Sequence, residues 1–135
     1  MAVIFGIATL QLGKNTVQRQ RQELEMAARH FILDCRFVQQ KNMFASSADR
    51  LDIVPSWGTG KYNFVKNTYV VTERNFADIG CSGIIFSGNA IGEIVFSGSG
   101  SVNDEKSILL RHKDNEAVHL ILNLQPVTGR IEISE

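Results

Sequence analysis

Several features that would assign this chain to a functional class are scarce or missing. There is no surplus of charge: 14 Lys and Arg balance 14 Asp and Glu, whereas a nucleic-acid-binding domain carries a basic excess on some face. The one basic cluster, Lys14, Arg19 and Arg21, is interleaved with glutamines and has no aromatic side chain on which a base could stack. It reads as a solvated helix face. Cysteines number only two, Cys35 and Cys81, too few for a structural zinc site, which takes four Cys or His ligands. Whether the two pair is open, and buried free thiols are the simpler reading. The three histidines, His30, His112 and His119, include no pair at the helical i,i+4 spacing of a metalloprotease. His112 and His119 could face each other across a hairpin, but two imidazoles without a carboxylate or thiolate make a poor metal site.

Long hydrophobic runs are also lacking. The apolar opening MAVIFGIATLQL ends at Leu12 and as a helix would reach about 18 Å, against a bilayer core of about 30 Å. No charge stands before its apolar residues and no small-x-small cleavage site follows it, so a secretory signal is not the expected reading. Proline is rare, 2 residues against 11 glycines, and Val, Ile and Phe gather late in the chain, a composition of strands joined by glycine turns. The glycine-rich stretches do not bind phosphate. WGTGKY has Pro55 where a Walker loop needs its first Gly and Tyr62 where it needs Ser or Thr. SGNAIG and SGSGS lie between strands, without the helix N-terminus that would hold an anion. Cys35 falls on a buried helix face, where a thiolate is disfavoured. Asp104, Glu105, Asp114 and Glu116 gather at turns, where solvated carboxylates are ordinary. No catalytic constellation remains, and no cofactor, metal or small-molecule substrate is expected.

What the chain does contain is two halves with different periods. From Thr16 to Met43 there is no Pro or Gly, and good helix formers dominate. Leu24, Ala28, Phe31, Cys35 and Val38 step by four, three, four and three, which predicts one helix face packed on a sheet, widened by Ala27 and Ile32. Met26, Leu33 and Phe37 lie on the opposite face, where a helix packed on one sheet should be polar. Either the chain folds over that side or another molecule covers it. The helix is predicted to end near ASSADR. After Arg50 the period becomes two. HLILNL and RIEIS alternate, SILLRH-KDNE-AVHLILNL reads as a hairpin, and LDIVP, YNFV, NTYVVTE, GIIFS and GEIVFSG are further strands. Short strands at this spacing predict an antiparallel meander or small sandwich. With no strand–helix–strand alternation, a parallel nucleotide-binding sheet is not expected. The fold class is therefore α+β: a long N-terminal helix, residues 1–44 (apolar 1–12, amphipathic 14–44), packed on an antiparallel β-rich part, residues 45–135.

A helix of that length, about 65 Å, would project beyond a globule of the remaining residues, whose radius of gyration would be about 12 Å. In this order of elements the chain resembles the type IV pilin and pseudopilin superfamily, most closely the minor pseudopilins of type II secretion and the pilin-like proteins of DNA-uptake machines. MAVIFGIATL looks like the later part of the family's apolar helix, and ELEMAARHFILDCRFVQQKNMFAS is similar to its amphipathic helix. GEIVFSGSGSV and PVTGRIEIS resemble its F-x-x-x-G strand-turn and closing T-G-R strand.

The resemblance implies a membrane-anchored, non-enzymatic structural subunit that polymerises through its N-terminal helix, with most of the chain extracytoplasmic in a bacterial envelope. Its partners would be other pilin or pseudopilin subunits and the membrane, with no nucleic acid bound directly. Val3, Ile4, Phe5, Ile7 and Leu10 would sit first in the membrane and then in the fibre core, and Met26, Leu33 and Phe37 would touch neighbouring subunits. The chain departs from the family in two ways. It lacks the processing signal, a glycine followed by F-T-L-x-E, and Lys14, Arg19 and Arg21 fall on the side that the positive-inside tendency disfavours. The expectation is that about eight or nine helix residues precede Met1, which would complete a span. The competing expectation is a soluble β-rich binding module whose N-terminal helix mediates oligomerisation or docking.

Overall fold

The structure, a computed structural model, describes residues 2–88, 92–102 and 105–135, with the side chains of the first helix described from Thr16 onward. The side chains of Val3, Ile4, Phe5, Ile7 and Leu10, the Asn89–Ile91 part of SGNAIG, and Asp104 lie outside the described residues.

The first element, α1 (Ala2–Phe44), runs through the Pro-free and Gly-free stretch and stops where Ala45 and Ser46 begin a loop. A short 3₁₀ turn, Ser47–Asp49, follows. Eight strands come next: β1 (Asp52–Pro55), β2 (Lys61–Lys66), β3 (Tyr69–Asn75), β4 (Ile84–Ser87), β5 (Ile94–Val95), β6 (Lys106–His112), β7 (Asn115–Leu124) and β8 (Ile131–Ser134). A second 3₁₀ turn, Phe76–Ile79, links β3 to β4. It is capped by the Asn75 side chain, which accepts from Ala77 N–H at 3.0 Å.

The strands form two four-stranded antiparallel sheets, in the orders β3-β2-β1-β5 and β4-β6-β7-β8. In the first sheet Ile53 lies opposite both Phe64 and Ile94. In the second, Leu110 lies between Phe86 and Leu120, and Ile108 faces Leu122. These residues are buried, because alternate side chains of each strand share the face turned to the core. α1 lies against that core with Leu24, Ala27, Ala28, Phe31, Ile32, Cys35 and Val38, all buried.

Three local details differ from the sequence pattern. The β6–β7 hairpin is tighter than KDNE suggests: only Lys113 and Asp114 turn, and Asn115 opens β7. His112 and His119 do not face each other, since the register pairs Arg111 with His119 and a bulge sets His112 opposite Asn115. Ile133 shares the inner face with its partner Leu122 but is 52% exposed, because β8 is an edge strand where the core cover runs out.

Candidate assembly face of the long helix

The inner and outer faces of α1 divide by helical geometry. Along the inner face the buried side chains run from Leu24 to Val38 and end with Asn42, whose side chain is also fully buried. A buried carboxamide needs partners for both of its ends. Asn42 Nδ2 donates to the carbonyls of Leu51 and Phe96, at 2.9 Å each, and Oδ1 accepts from Leu51 N–H at 2.9 Å. One residue thus ties the end of the helix to the start of β1 and the strand end after β5. One turn earlier, Gln39 Nε2 donates to Gly100 O at 2.8 Å and Thr128 O at 3.0 Å. The T-G-R turn is seated here by contact: Gly129 has φ +64°, and a Cβ there would lie 2.2 Å from Gly100 O. Only glycine meets both conditions.

Two carboxylates complete the anchoring. Asp34, buried on the helix, accepts a hydrogen bond from Tyr62 Oη and lies 3.5 Å from Arg74 Nε and 3.7 Å from His30 Nδ1. It therefore holds β2 and β3 to the helix. Burial, and next the bond to Asp34, push the Tyr62 hydroxyl above its ordinary range, so it stays a donor. Glu23 accepts from Gly83 N–H at 2.9 Å and lies 3.3 Å from His112 Nε2. Asp114 N–H donates to His112 Nδ1 at 3.1 Å, which leaves Nε2–H to meet Glu23. Gln20 adds a bond from Asn115 Nδ2 at 3.1 Å.

Periodicity does not reveal these polar anchors, because it reports only apolar positions. The one signal available was a helix face on which Glu23, Asp34, Gln39 and Asn42 flank the apolar stripe, with a buried Asn in the last turn.

On the outer face Met26, Leu33 and Phe37 are exposed by 54, 61 and 54%. No loop or strand of the described residues folds over them. Beside them Gln22, Glu25, Met26, Arg29, His30 and Leu33 line an open groove of about 440 Å³. Phe44, seven residues beyond Phe37 on the same face, extends the exposed apolar surface toward the end of the helix.

Cys35 and Cys81 are free and buried. Burial first, and the Asp34 charge second, push the Cys35 thiol far above its ordinary range, so it is protonated and inaccessible. Burial likewise raises Cys81, with Glu23 adding to the shift. Among the described residues no three His, Cys, Asp or Glu side chains are placed to hold a metal ion, and no helix there is long and apolar enough to cross a membrane.

No family model matches the chain, and no curated protein matches it either. Two solved structures do, both of the type IV minor pilin FimU of Pseudomonas aeruginosa PAO1 in different crystal forms. One has a TM-score of 0.63 at 12% identity, over 85% of this chain and 90% of that one. The other has a TM-score of 0.58 at 10% identity, over 83% and 93%. At such identity the likeness lies in the arrangement of elements, one long helix against antiparallel sheets, and the fold of this chain is the type IV pilin-like fold.

Proposed function

We propose that this chain is a structural minor subunit of a pilin-like fibre, serving a type II secretion, type IV pilus or DNA-uptake machine, and that it has no catalytic role. One observation carries the reading: the same stretch of α1 is docked on both sheets through one face and presents Met26, Leu33 and Phe37 bare on the other. A helix that only closed a core would be polar there. In this reading the helix holds the subunit in the membrane through Val3, Ile4, Phe5, Ile7 and Leu10 before assembly and packs among neighbouring helices afterwards. The β-rich part lies outside the cytoplasm. The likeness to a minor pilin supports a structural role over an enzymatic one.

The test is the triple substitution Met26→Gln, Leu33→Gln and Phe37→Gln. All three side chains are solvated in the monomer, so the melting curve should stay within about 0.5 kcal/mol per site of the parent. Recovery of the protein in sheared fibre fractions should be abolished. A variant that unfolds would place the stripe in the protein's own core, and a variant recovered at parental levels would remove it from assembly.

A further inference from the structure

A second feature of α1 is unused by the apolar face. The helix and the turn between β7 and β8 enclose a cleft of about 260 Å³, lined by Arg36, Gln39, Gln40, Thr128 and Arg130, with Cys35 among the apolar residues of its wall. Among the described residues no carboxylate lines it. Neither arginine side chain has an ion pair or hydrogen bond within reach among the described residues. The nearest acid along β8, Glu132, lies 3.5 Å from Gln125 Nε2.

The walls are rigid. Gln39 is fixed by the carbonyls of Gly100 and Thr128. The turn is closed by Gly129 N–H to Gln125 O at 2.9 Å and Gln125 N–H to Arg130 O at 2.8 Å. Arg130 N–H donates to Thr128 Oγ1 at 3.2 Å. Two arginines thus line one small cleft whose described lining holds no carboxylate, and a guanidinium fork matches the planar two-oxygen geometry of a carboxylate.

We infer that this cleft is an anion site that takes a carboxylate, presented by an acidic side chain of a neighbouring subunit. The subunit as source rests on the proposed function; the carboxylate chemistry does not. The Cys35 thiol takes no part in the chemistry, since it is held protonated within the wall.

The purified full chain in detergent would be titrated with the peptide acetyl-Gly-Glu-Gly-amide, its Gln counterpart and inorganic phosphate, following the amide resonances of Thr128, Gly129 and Arg130. The Glu peptide should shift them and the Gln peptide should not. Arg36→Gln with Arg130→Gln should weaken binding about tenfold, the loss of a charged hydrogen bond, whereas Arg19→Gln with Arg21→Gln, which removes the same charge elsewhere, should leave it nearly unchanged. Equal weakening by both variants, equal binding of the Gln peptide, or tighter binding of phosphate than of the Glu peptide would overturn the carboxylate site. In cells the Arg36→Gln, Arg130→Gln protein, folded by its melting curve, should be about tenfold depleted from fibres. Parental recovery in fibres overturns the subunit as source and leaves the proposed function intact. Absence of the unaltered chain from fibres overturns both of these while the peptide titration stands.

Discussion

Asn42 is a polar residue in a fully buried position, and it is held by three hydrogen bonds to the backbone of Leu51, just before β1, and Phe96, just after β5. Asn42→Leu keeps the volume and strands one N–H and two carbonyls away from water. At about 1–3 kcal/mol for a buried unsatisfied group, partly relieved by rearrangement, urea unfolding should show a loss of about 3–5 kcal/mol. Asn42→Asp should cost at least as much, since a carboxylate would face two carbonyls with no proton to donate. Gly129 and Gly58 form a second comparison at this scale. Both have positive φ, but a Cβ on Gly58 meets nothing within 4 Å, while one on Gly129 meets Gly100 O and Gln39 Nε2. Gly58→Ala should cost about 1 kcal/mol, the backbone cost alone. Gly129→Ala should cost clearly more and should loosen the β7–β8 turn, seen as faster hydrogen exchange at Gln125 and Gly129.

At the scale of elements, the weakest strand has a charge built against it. β5 is two residues long and pairs only with β1, where Asp52 stands opposite Val95. Partial burial, and after it the carboxylate of Glu93, raise the Asp52 pKa above its ordinary value. The sign follows from linkage: the folded state binds this proton more tightly than the unfolded chain, so Asp52 favours folding only when protonated. Stability is lost as pH rises from the unfolded value near 3.8 through the raised folded value. Asp52→Asn should therefore raise stability at pH 7, by about 0.5 kcal/mol after allowance for solvent screening. The gain should vanish below the unfolded pKa, where the parent is protonated in both states. Thermal melts of both proteins from pH 3 to pH 7 would show the difference close as pH falls.

The elements themselves were legible in the sequence because their periods are strong. The steps Leu24, Ala28, Phe31, Cys35, Val38 are those of a helix, and the alternation through Leu120, Leu122 and Leu124 is that of a strand. Ile133 keeps the alternation, on the face of its partner Leu122, yet is half exposed: alternation marks the two faces of a strand but does not tell whether anything covers the inner one, and at the edge of the second sheet little does. The His112–His119 pairing failed because the hairpin register pairs Arg111 with His119, a one-residue offset that leaves no mark in composition. Of the candidate site, the apolar triplet was visible as a stripe out of place, whereas its bareness required the fold. The Arg36–Arg130 cleft could not be seen at all, since it joins residues 94 positions apart in sequence.

The molecule as a whole is held together where helix and sheets meet at Phe31. Its ring stands edge-on to Tyr62 of the first sheet at 5.0 Å and to Phe86 of the second at 5.3 Å. Phe76 joins the same cluster, 5.6 Å from Tyr62 and 5.4 Å from Phe86, and Trp57 meets Phe86 at 6.0 Å. Fully buried, Phe31 therefore bridges the helix to both sheets, which share no strand and whose backbones meet where Phe86 bonds to Gly58 and Thr59. Phe31→Ala removes this shared ring and opens a cavity that helix and sheets cannot all close, a loss of about 3–5 kcal/mol. The form of the transition is as informative as its midpoint. With the cluster as a single core, Trp57 fluorescence, which reports the second sheet through Phe86, and far-ultraviolet circular dichroism, dominated by α1, should shift together to lower denaturant in one step. If the two signals separated, with the tryptophan signal lost while the helical signal persisted, helix and sheets would be independent units, and Phe31 would be a local contact instead of the junction through which the fold is cooperative.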